Sequence, residues 1–388
     1  MRRSAIIGLA AFLLASSSCS SSPSTRASTP RATQGSASPT ISGTPAQAVA
    51  RLASGAALPS ECTPKRPKRS DTTVFVSAGH AWALSADGTT LTCLFDVQDP
   101  GPFIWGPLGD RALIGGFEVK GLPGALTLPP SDLQAGPASW GRPTGKSIVL
   151  VSADAADLEK VHLDGEPQED ITPLSKARYL SLTYHPSGLA IAFAVERGGS
   201  QSIWVSSNTG DKPRRLVFSK EGTKFGALAF GADGDRLYYE ARHANGLSVL
   251  HQIFLTDPTQ VLALWSAPVG RRVLDIWPSP EPERATTAWT VGSSCADSRA
   301  MLQGSDRAMP ALPSEPRPTH MVGWLDAERV LVAAGGCSAP LDLSAVNVNT
   351  GSAQPLVFGV DAAGVRTPAP TPPPPLPTTD ADVGSGNA

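Results

Sequence analysis

The sequence lacks the excess of basic residues that is typical of proteins that bind nucleic acid. Its 388 residues include 32 Lys and Arg against 34 Asp and Glu, so the formal net charge at pH 7 is −2. A polyanion would therefore meet no attractive field from the chain as a whole. We expect no nucleic-acid partner.

The N-terminal apolar run is too short to cross a bilayer. It extends from Ala5 to Leu14, about ten residues, whereas a spanning helix needs about 20. Arg2 and Arg3 precede this run, and small residues follow it up to Cys19. A basic start, a short apolar segment and small residues before a cleavage point predict a secretory signal peptide over residues 1–18. We therefore expect an exported protein.

Cys19 ends the segment Leu14-Ala15-Ser16-Ser17-Ser18-Cys19. This segment resembles a bacterial lipobox, although Ser16 stands where that family prefers leucine. The resemblance implies that Cys19 carries the lipid and holds the protein at the extracytoplasmic face of the cell membrane. Secretion without a lipid is the alternative.

Both flanks of the chain have little that could form a core. Ser, Thr, Pro, Ala and Gly dominate residues 20–45, and Pro, Thr and Ala make up almost all of residues 367–379. Such stretches bury too little apolar surface to offset the entropy lost on ordering. We expect a disordered tether over residues 19–60, with one short helix over 47–58, and a disordered proline-rich tail over 366–388. The folded body then spans 61–365.

Cysteine is scarce, and no pair has the CxxC spacing of a metal or redox site. Apart from Cys19, the chain has Cys62, Cys93, Cys295 and Cys337. An even number in an exported chain predicts two disulfides, and four cysteines permit three connectivities.

The central chain repeats a unit of four short apolar runs separated by turns. The best copy contains Leu182–Tyr184, Leu189–Glu196, Ser202–Val205 and Arg215–Phe218. An aromatic residue stands four positions before the turn glycine, or before the residue that replaces it, in each copy except that of Trp140, where the distance is five. These aromatic positions are Trp105, Trp140, Tyr184, Phe230, Trp277 and Trp324, at spacings of 35, 44, 46, 47 and 47. A period of about 40–50 residues with four strands per unit predicts a β-propeller, in which radially stacked sheets cover one another.

The N-terminal blade has three predicted strands, so it needs a fourth. The strands lie around Val74–Val76, Ala81–Leu84 and Leu91–Phe95, and the C-terminal segment Leu356–Val360 is a candidate to complete the sheet. This closure gives seven blades, and six is the alternative. In the same frame, Cys295 and Cys337 fall between the second and third strands of consecutive blades. That position favours a Cys295–Cys337 bridge and leaves Cys62 to pair with Cys93.

The repeat resembles the WD40-like repeats of the TolB family. The matching residues are His185-Pro186-Ser187-Gly188 with Ile191-Ala192-Phe193 and Ile203-Trp204-Val205, and Gly231-Ala232-Asp233-Gly234 with Leu237-Tyr238-Tyr239. The glycine is missing in the later copies. The resemblance implies a TolB-like, all-β propeller and says little about function.

The sequence offers no catalytic motif. It has no GxSxG, HExxH, P-loop or GxGxxG in a strand–helix setting, so we expect no catalytic residues, no metal and no cofactor. His243 and His251 could face each other across a hairpin, but no third ligand joins them at a suggestive spacing. Two functions stay open: a non-catalytic propeller that binds an envelope protein or glycan, and a propeller lyase or glycosidase that acts at the central channel. A mainly small or apolar channel would favour binding, and converging ionisable groups would favour an enzyme.

Overall fold

The computed structural model describes residues 50–366, with gaps at 69, 98–102, 108–110, 115–117, 122–123, 128–136, 143, 165, 220–221, 305–306 and 336–339. The signal peptide, Cys19, most of the tether and the proline-rich tail lie outside the described residues. Within them, the structure is almost entirely β, and the one helix is a 3₁₀ turn at Cys295–Asp297. No helix among the described residues has the length and apolar content to cross a bilayer.

The strands pair into seven antiparallel sheets, listed here from the innermost strand outward. Sheet 1 contains β29 (Ala362–Val365), β2 (Asp71–Ser77), β3 (His80–Ser85) and β4 (Leu91–Asp96). Sheet 2 contains β5 (Phe103–Trp105), β6 (Arg111–Ile114), β7 (Glu118–Gly121) and β8 (Gly124–Thr127). Sheet 3 contains β9 (Ala138–Trp140), β10 (Ser147–Val151), β11 (Leu158–His162) and β12 (Glu169–Asp170). Sheet 2 is described mainly by its backbone pairing, and the other six also by their side chains.

The remaining four sheets follow in chain order. Sheet 4 contains β13 (Arg178–Tyr184), β14 (Ala190–Arg197), β15 (Ser200–Ser207) and β16 (Arg214–Phe218). Sheet 5 contains β17 (Lys224–Phe230), β18 (Arg236–Arg242), β19 (Ser248–Phe254) and β20 (Val261–Ser266). Sheet 6 contains β21 (Arg272–Pro278), β22 (Thr287–Gly292), β23 (Arg299–Gln303) and β24 (Ala308–Pro310). Sheet 7 contains β25 (Thr319–Trp324), β26 (Arg329–Ala334), β27 (Leu341–Asn347), β28 (Ala353–Val360) and the short β1 (Arg51–Leu52). The predicted propeller of four-stranded blades is confirmed.

The core is divided among the interfaces between neighbouring sheets. One apolar cluster joins sheet 4 to sheet 5 through residues such as Ile203 and Leu237, and another joins sheet 6 to sheet 7 through Leu302 and Val332. Each of these side chains is at most 1% exposed. Because every sheet buries both faces against its neighbours, no sheet is stable alone, and stacking supplies most of the hydrophobic stabilisation.

Arginine side chains join the turns of successive sheets. Arg236, Arg284 and Arg329 each pair with an acidic residue three positions earlier. Each then donates to a backbone carbonyl of the next sheet. The acceptors are Pro282 for Arg236, Ala327 for Arg284 at 2.9 Å, and Ala86 for Arg329 at 3.1 Å. The last of these contacts connects sheet 7 back to sheet 1.

The two ends of the described chain meet where sheet 7 adjoins sheet 1. β1 pairs with β28 in sheet 7, and β29 pairs with β2 in sheet 1. The disulfide Cys62–Cys93 ties the segment between β1 and β2 to the outermost strand of sheet 1. An apolar cluster that includes Leu52 and Leu356 packs across the same place. We call this junction the seam.

Two details of the seam differ from the sequence predictions. The closing strand is β29, whereas the segment Leu356–Val360 belongs to β28 and fills the outer position of sheet 7. The helix expected over 47–58 does not form over its described part. There, Arg51–Leu52 makes a strand because its backbone finds a partner in Val357 and Phe358.

Candidate binding site in the central channel

The central channel is lined by residues of the innermost strand of every sheet and of the turns that follow. It encloses a cavity of about 590 Å³, a size typical of ligand sites. Six aromatic residues line it, and we call them the channel aromatics: Trp105, Trp140, Tyr184, Phe230, Trp277 and Trp324. These are the six positions whose spacing predicted the propeller. Each lies at or next to the last residue of an innermost strand.

The channel aromatics are held by packing and by bonds between sheets. Trp140, Tyr184 and Trp324 are each at most 5% exposed, so most of their surface lies between blades. The indole N–H of Trp324 donates to the carbonyl of Trp277 at 2.7 Å. The indole N–H of Trp140 donates to the carbonyl of Ile104 at 3.1 Å. The aromatic wall is therefore rigid, which lowers the entropic cost of binding a ligand against it.

Small and aliphatic side chains fill the wall between the aromatics. They include Ala138, Ala229 and Ala363, with Leu182, Leu228, Ile276 and Val322. Among the described lining residues there is no Asp, Glu or Lys. The paired carboxylates that a glycosidase uses are therefore not found in the described wall of this cavity.

Arg142 brings the one formal positive charge to this lining. It lies in the turn after β9, where its side chain is exposed to the channel. Among the described residues, no carboxylate forms an ion pair with it. The surrounding atoms remove part of the water that would hydrate the guanidinium, and this desolvation lowers the pKa of Arg142 below its usual value. The channel thus contains a partly desolvated cation that forms no ion pair with any of the described residues.

Two ionisable groups on innermost strands, His320 and Asp275, have pKa values that burial shifts. His320 lines the channel, and burial lowers the pKa of its imidazole, which favours the neutral ring. Asp275 lies on β21, and burial raises the pKa of its carboxyl from 3.8 to about 6. Its Oδ1 accepts hydrogen bonds from the indole N–H of Trp277 at 3.1 Å and from the amide of Thr290 at 3.0 Å. Asp275 therefore positions a channel aromatic.

The substitution Asp275→Asn is expected to stabilise the protein at alkaline pH. The asparagine keeps an Oδ1 acceptor for Trp277 and Thr290 but carries no buried charge. Because the folded-state pKa of Asp275 is raised, the wild type loses stability as pH rises from about 4 to 6. We expect the variant to match the wild type near pH 4 and to exceed it by about 2–3 kcal/mol at pH 8.

Denaturant unfolding across this pH range would measure the difference, with Glu283→Gln on an exposed turn as the control. A stability difference between Asp275→Asn and the wild type that does not change with pH would contradict the expectation.

Three of the four predicted disulfide residues, Cys62, Cys93 and Cys295, lie in the described part of the chain, and none of the three lines the channel. Cys62 and Cys93 are bonded as predicted, with Cα atoms 5.6 Å apart. Cys295 is disulfide-bonded and lies between the second and third strands of sheet 6, as expected. Cys337 falls outside the described residues, as does Cys19, so the Cys295–Cys337 pairing and the lipid site stay predictions.

Among the described residues, three groups of histidine, acidic and cysteine residues lie close together, but none of them combines three available metal ligands at a buried position. His243 and His251 do face each other, with ring centroids 6.5 Å apart, and Tyr239 stacks on His251. Ligand atoms of His162, Asp164 and Glu166 lie within 4.8 Å of one another, but both carboxylates are exposed. A similar group contains His80, Asp96 and Cys62, and its cysteine is already oxidised. A disulfide sulfur is not a thiolate ligand.

Sequence reasoning found the channel aromatics but missed Arg142 and Asp275. The periodic spacing located the aromatics, and their expected position between blades is confirmed. Arg142 stands in Gly141-Arg142-Pro143-Thr144-Gly145. This segment resembles the repeat turn His185-Pro186-Ser187-Gly188 only weakly. The position of Arg142 within the repeat could have identified it. Its turn follows an innermost strand, and the equivalent turns of sheets 4, 5 and 6 also line the channel.

No family model and no curated protein matches the chain. Solved structures do match. An oligogalacturonate lyase in complex with manganese aligns with a TM-score of 0.51 and 13% identity, covering 70% of this chain and 83% of that chain. TolB from Acinetobacter baumannii aligns with a TM-score of 0.43 and 11% identity, covering 76% of this chain and 64% of that chain. The Cps50 (Swd1) β-propeller domain of Myceliophteria thermophila aligns with a TM-score of 0.48 and 11% identity, covering 78% of this chain and 97% of that chain.

These matches concern the fold. The aligned part is less than two thirds of the TolB chain. The expected β-propeller architecture is confirmed by the sheets of the structure itself. At 11–13% identity the shared fold assigns no activity, because one fold hosts many functions.

Proposed function

We propose that this chain is a non-catalytic binding propeller that holds its ligand at the aromatic-lined channel. In this proposal the protein is exported and anchored through Cys19 at the extracytoplasmic face of the membrane, and the ligand belongs to an envelope protein or glycan. The observation that carries the proposal is the composition of the channel lining: six aromatics, small aliphatic residues and a single formal charge.

The channel lining supports a binding role because most of its side chains can make apolar contacts and few of them can transfer a proton. General acid–base catalysis needs positioned titratable groups within hydrogen-bond reach of a substrate. The described lining supplies one histidine, His320, and one arginine, Arg142. Arginine stays protonated throughout the physiological range and is a poor proton carrier. A rigid aromatic wall, in contrast, gives large contact area at low entropic cost.

A variant that narrows the channel tests the proposed binding site. Ala232 lies in the turn after β17, lines the channel and is half-buried, so Ala232→Trp places bulk at the cavity without changing an innermost strand. Val269 is 89% exposed, and Val269→Trp is the matched control. Wild type and both variants would be screened against panels of envelope peptides and glycans, after their unfolding temperatures have been compared.

We expect at least one ligand whose affinity falls tenfold or more in Ala232→Trp and is unchanged in Val269→Trp. Ligands that bind all three proteins equally would place binding elsewhere and contradict the channel site. Turnover of a panel glycan by the wild type would contradict the non-catalytic role.

The proposed anchor has a separate test. Labelling cells with radioactive palmitate should mark the wild type and leave Cys19→Ser unmarked, because the thiol of Cys19 is the proposed acceptor. The variant should also move from the membrane fraction to a soluble one. A Cys19→Ser protein that stays labelled and membrane-bound would refute lipid attachment at this residue.

A further inference from the structure

Arg142 is the most informative group of the channel that the proposed function leaves unused. Its side chain lines the channel and is exposed to it, and no carboxylate among the described residues forms an ion pair with it. Removing water from a cation is unfavourable unless an anion or other acceptors replace the lost hydration. The channel removes part of the hydration of Arg142, and an anionic ligand would replace it.

The charges around Arg142 make the channel a place for an anion. The described lining contains no carboxylate that could compensate the guanidinium. The carboxyl of Asp275, whose pKa is about 6, is not part of the described lining, and its Oδ1 accepts hydrogen bonds from Trp277 and Thr290. His320 is biased toward its neutral form by burial and adds no fixed charge of either sign. Among the described lining residues the one fixed charge is therefore the guanidinium of Arg142, and the partial loss of its hydration strengthens its attraction for an anion.

The rest of the lining limits what else the ligand can be. A sugar needs several side-chain hydrogen-bond partners for its hydroxyls, and besides Arg142 and His320 the described wall offers mainly the hydroxyls of Ser139, Thr183 and Ser279. Ser139 already accepts a bond from the amide of Tyr184 at 3.1 Å. Aromatic and aliphatic groups form most of the remaining surface, which suits an apolar body.

We propose that the channel binds an apolar ligand that carries a single carboxylate, with Arg142 as its counter-ion and the channel aromatics around its apolar part. This inference rests on the proposed function and specifies the chemistry of the ligand at the same site. A guanidinium can hold a carboxylate by two parallel hydrogen bonds, a geometry that lysine cannot reproduce. Two sources present this chemistry: the free C-terminus of an apolar peptide, and a small aryl or alkyl acid.

Matched acid and amide probes test the inference. The small-molecule pair is 4-phenylbutyrate and 4-phenylbutanamide. The peptide pair is Gly-Leu-Phe with a free C-terminus and the same tripeptide amidated. Calorimetric titration gives the affinities, and tryptophan fluorescence gives an independent signal because four of the channel aromatics are tryptophans. The proteins are wild type, Arg142→Gln, Arg142→Lys and the control Arg197→Gln, whose arginine is exposed at the end of β14.

In the wild type we expect at least one acid to bind ten- to a hundredfold more tightly than its amide, as a charge-assisted hydrogen-bonded pair implies. Arg142→Gln should remove this preference by weakening the acid alone, and Arg142→Lys should restore only part of it. Arg197→Gln should change nothing. The peptide pair and the small-molecule pair then report which source the channel accepts.

Equal affinities for acid and amide in the wild type, an acid preference that survives Arg142→Gln, or no binding of either acid would each overturn the inference. The proposed function fails separately. If a panel ligand binds Arg142→Gln as it binds the wild type but no longer binds Ala232→Trp, the channel remains the proposed binding site and the anion site is refuted. Absence of any ligand sensitive to Ala232→Trp would reject both.

Discussion

Ending the chain after Asp361 is expected to lower the unfolding temperature of the propeller by roughly 10–20 °C. The truncation removes β29, which is the innermost strand of sheet 1 and pairs with β2 from Thr73 to Val76. Val74 and Phe75 are fully buried and would lose cover on that side. Sheet 1 would keep three strands and expose an unpaired edge where the ring should close.

The expected loss is several kcal/mol, about 5, which corresponds to a fall of roughly 10–20 °C in the unfolding temperature of a large domain. Calorimetry of chains ending at Asp361 and at Arg366 measures it. The longer chain lacks only residues 367–388 and should unfold like the full chain. Equal unfolding temperatures for the two truncated chains would show that β29 does not close the propeller.

Gly364→Leu is expected to destabilise the packing of β29 against sheet 2. Gly364 has no left-handed backbone strain, but the ring of Trp105 lies directly against it, so a Cβ there would overlap the indole. Overpacking of this kind costs typically 1–3 kcal/mol and sometimes more, or about 3–10 °C in unfolding temperature. The displaced residue is a channel aromatic, so the cost should also appear as a changed tryptophan emission.

A double-mutant cycle separates the clash from other effects. Trp105→Ala alone removes packing and should destabilise the protein. In the Gly364→Leu background, Trp105→Ala also removes the indole that the leucine would overlap. The loss of unfolding free energy in the double variant should therefore be smaller than the sum of the two single losses by at least about 1 kcal/mol. Strict additivity would mean that the leucine does not act through Trp105.

Much of this fold could be predicted from local patterns, because each blade is built from neighbouring segments of the chain. Turn residues such as Asp87-Gly88 and Asp233-Gly234 separate runs that become the predicted strands. The position of Cys295 between two strands followed from the same frame. The resemblance of Ile191-Ala192-Phe193 to a propeller strand also held, since all three residues are buried in β14.

The closing strand could not be read in the same way. The segment Leu356–Val360 is the more apolar candidate, and three of its residues are fully buried, but it is needed as the outer strand of sheet 7. β29 has the sequence Ala-Ala-Gly-Val, which has low strand propensity. It forms a strand because ring closure supplies β2 as a partner, and its small residues leave room for Trp105. Tertiary context therefore decides its structure.

Arg142 shows a similar limit for the site. A turn sequence predicts that a residue is exposed. In a propeller, however, a turn can be exposed either on the outer surface or in the central channel. Local sequence does not distinguish an arginine that meets bulk solvent from one that enters the channel. The aromatics were accessible to prediction because they repeat, whereas the arginine occurs once.

The most direct test of the channel as the binding site uses ¹⁹F NMR of protein labelled with 5-fluorotryptophan. The chain has eight tryptophans. Trp105, Trp140, Trp277 and Trp324 line the channel, whereas Trp82, Trp204, Trp265 and Trp289 are not part of its lining. Single Trp→Phe variants would assign the eight resonances, and a ligand from the panels or the acid probes would then be titrated. We predict that the ligand shifts the resonances of the four channel tryptophans and leaves the other four in place. Shifts confined to Trp82, Trp204, Trp265 or Trp289 would contradict the account.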